Sequence, residues 1–373
     1  MRKRPSRSIT ALAFALAACE TASPPDPAPV IWTGRRVELA SNGGLTMCGG
    51  TAEYLDAFAV ALIDDLDLDV GPDERARVYL LSEEELEALE FCPPGARCVY
   101  EDFVYTDVVV ENHELVHAVR GIQYGENLPG PTFFEEGLAT MYMHDGFELP
   151  SERDLSEGLT SASNGLRGRL SAWWYGLGGD FVLFLARGWG MSSIADTING
   201  LSHANTVEDV DRAFLESLGT SFGEAALQYE SEVPRCSKFA RTRHLVECAQ
   251  DPLQLPASVD FELECGSPSV IGPLDGVMWQ TFTFEVEEEE LLLLRPPETG
   301  EPPFQQPGCD GFTLQVTDCE RGCLDDIDIQ RPRDGDDAIE DAAVFKPGRY
   351  VVRLGRPVDH PGRACLEVRP FPE

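Results

Sequence analysis

The residues best suited to chemistry are His113, Glu114 and His117, which form the pattern His-Glu-x-x-His. Residues four apart on an α-helix lie one turn above each other, so both imidazoles can reach a single metal ion from the same face. Glu114 then lies beside that ion, where its carboxylate can take a proton from a bound water molecule. The spacing therefore predicts a helix that carries a hydrolytic metal centre.

A catalytic zinc site needs a third protein ligand and one position left open for water. Glu136 can supply that ligand: eighteen residues separate it from His117, and it lies in Pro131–Thr140, which reads as the start of a second helix. Glu135, its neighbour, is the alternative ligand. Thr140 lies one turn beyond Glu136 on the same face, and we expect it to hydrogen-bond to a metal ligand.

This arrangement resembles that of the gluzincin metallopeptidases, above all the M1 aminopeptidase group and its short peptidase MA-like relatives. The resemblance implies a zincin fold, one zinc ion per chain and a peptide or protein substrate. It favours Glu136 over Glu135 as the third ligand, because the family ligand stands immediately before glycine. The family pattern is His-Glu-x-x-His, eighteen residues and then Glu-Gly, and it falls here on His113, Glu114, His117, Glu136 and Gly137.

A third segment, Trp173–Leu185, is similar to the Tyr-x-x-Gly opening of the helix that carries a transition-state tyrosine in those peptidases. The resemblance implies that the phenol of Tyr175 donates a hydrogen bond to the developing oxyanion, an interaction worth roughly 2.7–4 kcal/mol of barrier. Packing within an aromatic-rich helix is the alternative role of this side chain. Gly178 and Gly179 are expected to serve close helix packing, since no phosphate-binding pattern surrounds them.

The chain departs from the family at one place, because no Gly-x-Met-Glu-Asn motif precedes His113. In true M1 aminopeptidases the glutamate of that motif binds the free amino terminus of the substrate. An endopeptidase and an aminopeptidase therefore both stay open, with Glu101 as the candidate for binding an amine. Glu101 lies in Cys98–Tyr105, which alternates as a strand, and in such folds the edge strand before the active-site helix pairs with an extended substrate.

A non-enzymatic alternative is an envelope lipoprotein whose zincin-like domain serves only as a binding module. The retained Glu114 argues against it, because a module that merely holds a metal ion has no need of a general base between the two histidines. Hydrolysis of a peptide bond by a zinc-bound water is therefore the preferred interpretation.

The first 18 residues form an export signal, with basic residues up to Arg7, a short apolar core and a lipobox that ends at Cys19. The signal is similar to those of bacterial lipoproteins, which implies cleavage before Cys19 and lipidation of its thiol. Residues 19–35 are then expected to form a flexible tether. An ordinary signal peptide cut nearby is the alternative. The sequence predicts export, with a lipid anchor as the membrane contact, to the periplasm, the outer membrane or the cell surface.

Cysteine usage and charge agree with export. Eleven cysteines leave an even ten once Cys19 is lipidated, as expected of a chain that forms disulfides in an oxidising compartment. Cys92 and Cys98 are spaced to close one small loop, and Cys236 and Cys248 another. The chain has 65 acidic against 29 basic residues and a formal net charge of −36, so we expect no nucleic-acid partner.

The order of the elements predicts an α+β fold in two domains. A chain of 373 residues with 43% hydrophobic composition exceeds one typical domain, and its composition changes near residue 250. We expect a zincin-type metallopeptidase domain over 36–250 and an all-β sandwich over 255–373. The early elements expected are the helix Thr51–Leu66, the strand Arg77–Leu81 and the helix Ser82–Leu89 with Glu85 in a capping box.

Beyond residue 255 the helical period fades, and short strands alternate with turns. The segment Phe345–Leu354 is similar to the Pro-Gly-x-Tyr strand of pre-peptidase C-terminal domains, which are accessory sandwiches of secreted bacterial peptidases. The resemblance implies an accessory role for this second domain. The predicted strands are Met278–Val286, Leu291–Arg295, Phe312–Val316, Arg349–Leu354 and Ala364–Val368.

Overall fold

The computed structural model of the chain covers most of the span between residues 26 and 370. The predicted signal peptide 1–18 and the predicted lipidation site Cys19 lie outside the described residues. Among the helices that are described, none has both the length and the apolar character needed to cross a membrane. The described ranges are 26–89, 91–92, 97–125, 128–144, 155, 166, 172–204, 206–232, 242–295, 312–320 and 341–370.

The N-terminal half is built on a five-stranded mixed sheet. Its strands are β1 (Val30–Thr33), β2 (Val37–Ser41), β3 (Ala76–Leu80), β4 (Cys98–Tyr100) and β5 (Phe103–Thr106). Their order across the sheet is β1-β2-β3-β5-β4. The three central strands run parallel, and the edge strands β1 and β4 pair antiparallel with their neighbours. Strand β4, which comes just before the predicted metal-binding helix, is therefore an edge strand.

Two segments of this sheet differ from the prediction. Residues 30–33, which the sequence analysis assigned to the tether, form β1 because their β-branched and aromatic side chains favour a strand and β2 offers an edge for pairing. Cys98–Tyr105, predicted as one strand, is a hairpin of β4 and β5. Glu101 turns the chain there with a φ of 55°. A turn made by a residue other than glycine leaves little trace in the sequence, which is why the alternation alone did not reveal it.

Helices cover this sheet and carry the predicted site. The first long helix packs on β2, and the helix with the two histidines packs on β3, β4 and β5. Ser82 and Glu85 form the predicted capping box. Helices and sheet share one large hydrophobic cluster. The helices of the described residues are α1 (Thr51–Asp65), α2 (Glu83–Glu87), α3 (Asn112–Tyr124), α4 (Thr132–Met141), α5 (Ala172–Trp189), α6 (Met191–Gly200), α7 (Val207–Leu218) and α8 (Phe222–Glu232).

Helices α4 and α5 approach so closely that only glycine fits at their contact. A Cβ atom added to Gly137 would lie 2.7 Å from the carbonyl carbon of Gly178, and one added to Gly179 would lie 3.0 Å from Thr140 Cγ2. Real Cβ atoms essentially never make the first of these contacts and rarely make the second, so the glycines set the distance between the two helix axes. The packing role predicted for Gly178 and Gly179 is confirmed.

Eight strands follow in the C-terminal third: β6 (Ala257–Leu263), β7 (Ile271–Leu274), β8 (Val277–Val286), β9 (Glu290–Arg295), β10 (Thr313–Asp318), β11 (Asp341–Phe345), β12 (Gly348–Pro357) and β13 (Gly362–Pro370). They form two four-stranded antiparallel sheets, with orders β10-β12-β8-β7 and β11-β9-β13-β6. Side chains of both sheets share one hydrophobic cluster. The predicted α+β class and the C-terminal sandwich are confirmed, whereas β6, β7 and β11 were not foreseen.

The sheet β10-β12-β8-β7 is covered on both faces. On β8, Phe282 and Phe284 belong to the sandwich core, whereas Trp279 packs into the core of the N-terminal half. Successive side chains of a strand point to opposite faces, so one strand serves both cores. The disulfide Cys48–Cys265 also joins the two parts. The predicted division at residues 250–255 falls between α8 and β6, but the parts meet across a broad buried interface.

Disulfide bonds confirm the predicted use of the cysteines, although one pairing differs. Cys92 bonds to Cys98 and closes the small loop before β4, as predicted. The predicted bond between Cys236 and Cys248 is wrong, because Cys248 bonds to Cys319 at the end of β10. Folding brings these two cysteines to a Cα–Cα distance of 5.8 Å, and nearness in sequence does not decide such pairings. Cys236 itself lies outside the described residues.

The glycine contact predicts a large cost for a single methyl group. Gly137→Ala should lower the free energy of unfolding by about 1–3 kcal/mol, because its Cβ meets the backbone of α5. Gly188→Ala is the matched control: it lies in α5, where a Cβ meets no atom within 4 Å, and should raise stability by about 0.5–1 kcal/mol. Urea denaturation measures both. Equal effects of the two substitutions would contradict the close packing of α4 against α5.

Candidate metal centre

Helix α3 presents His113 and His117 on one buried face. The helix begins at Asn112, and the side chain of Glu111 caps it by accepting a hydrogen bond from the backbone N–H of Glu114 at 3.5 Å. The two histidines are 8% and 9% exposed, and their ring centroids lie 5.0 Å apart. The spacing of four residues therefore brings the rings together, as the helical period requires.

Glu136 reaches this pair from the first half of α4. Its Oε2 atom lies 3.1 Å from Nε2 of His113 and 3.3 Å from Nε2 of His117. Within the part of the chain that the structure describes, these three side chains are the group able to hold a metal ion, with ligand atoms within 4.8 Å of one another. The neighbouring Glu135 instead hydrogen-bonds to Arg120 with both carboxylate oxygens. The structure thus separates the two candidate carboxylates that the sequence placed side by side.

The donor set fits a divalent ion. Two imidazole nitrogens and one carboxylate oxygen match a ligand set that proteins use to hold catalytic zinc. Burial lowers the pKa of His117, but the Glu136 carboxylate outweighs that effect and raises the pKa to about 9. Burial raises the pKa of Glu136, yet the imidazoles of His117 and His113 hold it well below its usual range. In the metal-free site a proton on His117 therefore lies beside the Glu136 carboxylate, at the place where a metal ion would bind.

Thr140 lies within hydrogen-bond distance of the His113 ring. Its Oγ1 atom lies 3.5 Å from Nδ1 of His113, and the side chain is fully buried between the helices. A hydrogen bond at Nδ1 fixes the orientation of an imidazole whose Nε2 faces a metal ion. The structure places Thr140 where the sequence analysis expected it, one turn beyond Glu136.

Glu114 and Tyr175 line the same cleft as the three ligands. The cleft has a volume of about 850 Å³ and opens to solvent between α3, α4 and the edge strand β4. Glu114 is half-buried at its wall. The ring of Tyr175 lies 5.7 Å from the ring of His113, centroid to centroid, with 31° between the planes. The structure therefore brings together all five residues to which the sequence analysis gave a catalytic or ligand role.

The cleft has walls of different chemistry. Strand β4 and its hairpin turn contribute Val99 and the exposed carboxylate of Glu101. Arg97 lies at the same wall and pairs with Glu111, with 2.9 Å from Nη1 to Oε2. Leu166 and Leu201, both buried, add apolar side chains to the lining.

Sequence reasoning missed a buried polar network at the start of α3. Asn112, next to His113, donates from Nδ2 to the hydroxyl of Tyr54 at 3.0 Å. That hydroxyl donates to Glu247 at 3.4 Å, and Arg353 of β12 donates to Glu247 at 2.9 Å. Burial raises the pKa of Glu247, but the charges of Arg353 and two neighbouring histidines outweigh burial and lower the pKa to about 2. No spacing signal links residues so distant in sequence, so only the fold reveals this connection between the histidine helix and the sandwich.

The raised pKa of His117 predicts that metal binding depends on pH. Below about pH 9 the metal-free site holds a proton that a metal ion must displace. We expect zinc affinity, measured by competition with a coloured chelator, to rise about tenfold per pH unit between pH 7 and 8.5. A histidine of ordinary pKa, near 6.5, would give a nearly constant affinity over that range. A flat profile would contradict the coupling of His117 to Glu136.

Comparison with known proteins gives little beyond this geometry. No protein-family model matches the chain, and no curated protein matches it in sequence. One solved structure that matches weakly is the aminopeptidase A of Legionella pneumophila in complex with aspartic acid, with a TM-score of 0.29 and 8% identity. The match covers 88% of this chain and 35% of that chain, so this chain spans about a third of its length. A likeness at this level supports no inference about activity.

Proposed function

We propose that the chain is a zinc metallopeptidase that hydrolyses peptide bonds with an activated water molecule. The observation that carries this proposal is the convergence of two imidazole nitrogens on one carboxylate oxygen, at 3.1 and 3.3 Å, beside a glutamate in an open cleft. Helix α3 and helix α4 each contribute to that convergence, so it does not result from local sequence alone. The resemblance of the motif to gluzincin peptidases gives the same assignment.

His113, His117 and Glu136 would hold the zinc ion. When bound there, zinc lowers the pKa of a water molecule towards about 7 and polarises the carbonyl of the scissile bond. Glu114 follows His113 on α3 and lines the same cleft, which supports its role as the general base. Its carboxylate accepts the proton of the attacking water and then delivers it to the departing amine. The chain thus needs no covalent intermediate.

Tyr175 contributes from α5, on another side of the cleft. Its ring lies beside that of His113, and the glycine contact between α4 and α5 sets how near the phenol comes to the ligands. A phenol held in advance next to the reacting carbonyl donates a hydrogen bond to the oxyanion as negative charge develops. We assign Tyr175 this role in stabilising the transition state.

The edge strand β4 gives the substrate a place to bind. Its outer edge carries backbone groups that no neighbouring strand pairs among the described residues, and Val99 of β4 lines the cleft. A peptide in extended conformation can add to such an edge through main-chain hydrogen bonds. This mode of binding places a scissile bond across the cleft without any demand on sequence, which suits an endopeptidase.

An aminopeptidase is the second candidate, and Glu101 favours it. Its exposed carboxylate lies in the wall of the same cleft, at the turn that follows β4. A carboxylate there can pair with the free amine of a substrate amino terminus. Comparing cleavage of peptides with free and with acetylated amino termini separates the candidates. Loss of cleavage on acetylation would support the aminopeptidase and overturn the endopeptidase.

We also propose that the protein acts outside the cytoplasm, anchored by a lipid at Cys19. The disulfides Cys48–Cys265 and Cys248–Cys319 support export, because such bonds persist in oxidising compartments. A peptidase tethered in this way works on proteins of the cell envelope or its surroundings. Fractionation of cells that make the full chain tests the anchor: Cys19→Ser should move the protein from the membrane fraction to the soluble one, and an unchanged membrane fraction would refute it.

Replacing the general base should separate metal binding from catalysis. Glu114→Gln should keep one zinc per chain and lower the rate of peptide cleavage at least about 100-fold, because the amide cannot accept the proton of water. Cleavage of a peptide library, followed by mass spectrometry, measures the rate. The control is Glu84→Gln, an exposed position in α2 far from the motif in sequence, which should leave the rate unchanged. Full activity of Glu114→Gln would remove this residue from the mechanism.

Removing the hydroxyl of Tyr175 tests its role in stabilising the transition state. Tyr175→Phe should retain zinc and thermal stability but lower kcat about 100-fold with little change in KM, since the lost hydrogen bond forms only in the transition state. Tyr79→Phe is a control, because its hydroxyl donates to Asp26 and accepts from Arg77, and neither of these residues lines the cleft. A Tyr175→Phe enzyme with the kcat of the wild type would leave this ring with a packing role alone.

A further inference from the structure

A buried ion pair joins the two ligand-bearing helices next to the ligands. Arg120 lies on α3, three residues after His117, and Glu135 lies on α4, directly before Glu136. The guanidinium donates from Nε to Glu135 Oε2 at 3.0 Å and from Nη2 to Glu135 Oε1 at 2.8 Å. Arg120 is completely buried and Glu135 is 5% exposed. Both charges are therefore paired in a fork-to-fork geometry away from water.

Further contacts fix both partners from other directions. Asn199, near the end of α6, accepts from Arg120 Nη2 at 3.1 Å, and the ring of Tyr124 lies 5.2 Å from the guanidinium carbon. The backbone N–H of Gly130 donates to Glu135 Oε1 at 2.7 Å, just before α4 begins. The pair is thus held by α6, by the segment that leads into α4 and by α3 itself. A shift of Glu135 would break several hydrogen bonds at once.

A buried ion pair of this kind is a poor device for stability. Removing two charges from water costs about as much as their attraction returns, and apolar residues of similar size often replace such pairs without loss. The bidentate fork is instead a good device for orientation, because it accepts only one relative placement of guanidinium and carboxylate. Here that placement is imposed one residue from Glu136 and one helical turn from His117.

We propose that Arg120 and Glu135 are positioning residues, which set the place of the Glu136 carboxylate relative to the two imidazoles and thereby the metal affinity of the centre. This inference rests on the proposed function in so far as the three side chains bind a metal ion. Glu136 extends from the first half of α4, whose start the pair holds against α3. Without the pair, the glycine contact with α5 still packs α4, but among the described residues the first half of α4 keeps polar contacts with α3 only through Glu136, the ligand that has to be positioned.

The test separates orientation from stability. In Arg120→Met/Glu135→Leu both charges go together, so the full-length chain should fold with a melting temperature close to that of the wild type. Its dissociation constant for zinc, measured by competition with a chelator, should rise about 10- to 100-fold, the usual effect of losing a group that orients metal ligands. The visible absorption of the cobalt-substituted protein reports ligand geometry directly and should change in band position or intensity.

Arg243→Met is the matched control. Arg243 also binds a carboxylate through two nitrogens, that of Asp65 at the end of α1, and its hydrogen bonds among the described residues are with Asp65 and with Met141 at the end of α4. It should lower thermal stability and leave the zinc dissociation constant unchanged. A control that weakened zinc binding as strongly as the double variant would overturn the proposal, because the effect would then be general.

Two results decide whether the pair of Arg120 and Glu135 has a positioning role. A folded double variant with the zinc affinity and cobalt spectrum of the wild type would overturn the positioning role. If the double variant does not fold, Glu135→Gln takes its place: the amide keeps the shape but opposes its N–H groups to those of Arg120, so zinc binding should weaken at least about threefold, and unchanged binding would overturn the proposal. A wild-type chain that binds no zinc would instead refute the proposed function, and this inference with it.

Discussion

One carboxylate oxygen within hydrogen-bond distance of two imidazole nitrogens is the constraint on which the rest of the site depends. The period of an α-helix brings His113 and His117 together at no cost, but the third group must come from another helix. Its position is therefore a question of how α4 packs against α3 and α5. Two contacts fix the position of α4. Glycine allows close packing at the α4–α5 contact, and a buried arginine–glutamate pair imposes its hydrogen-bond geometry at the α3–α4 contact.

The same logic extends from the site into the sandwich. Asn112 begins α3 and hydrogen-bonds to Tyr54, which bonds in turn to Glu247 and so to Arg353 on β12. Buried charges remain in a protein only when they are paired, so Glu247 and Arg353 need each other in the folded state. The sheet that carries Arg353 is covered on both faces, by its partner sheet and by the N-terminal half. The C-terminal part is thus packed into the same folded unit as the helix that carries the histidines.

The sequence predicted best where chemistry and local period coincide. The helix with the two histidines, the capping box at Ser82, the choice of Glu136 as the carboxylate at the imidazoles and most strands of the sandwich could be inferred, because each has a signal within a few residues or a spacing that resembles a known pattern. It failed where long-range packing decides. The hairpin turn at Glu101, strand β1, the bond between Cys248 and Cys319 and the Arg120–Glu135 pair all depend on partners that only the folded chain brings near.

The most direct test of the central claim is X-ray absorption at the zinc edge of the purified protein. The account predicts one zinc per chain with two imidazole nitrogens at about 2.0–2.1 Å and at least one oxygen at about 2.0–2.2 Å, a signal that His117→Ala should reduce by one imidazole. Zinc bound through sulfur, or an imidazole signal that His117→Ala leaves unchanged, would place the metal elsewhere and contradict the account.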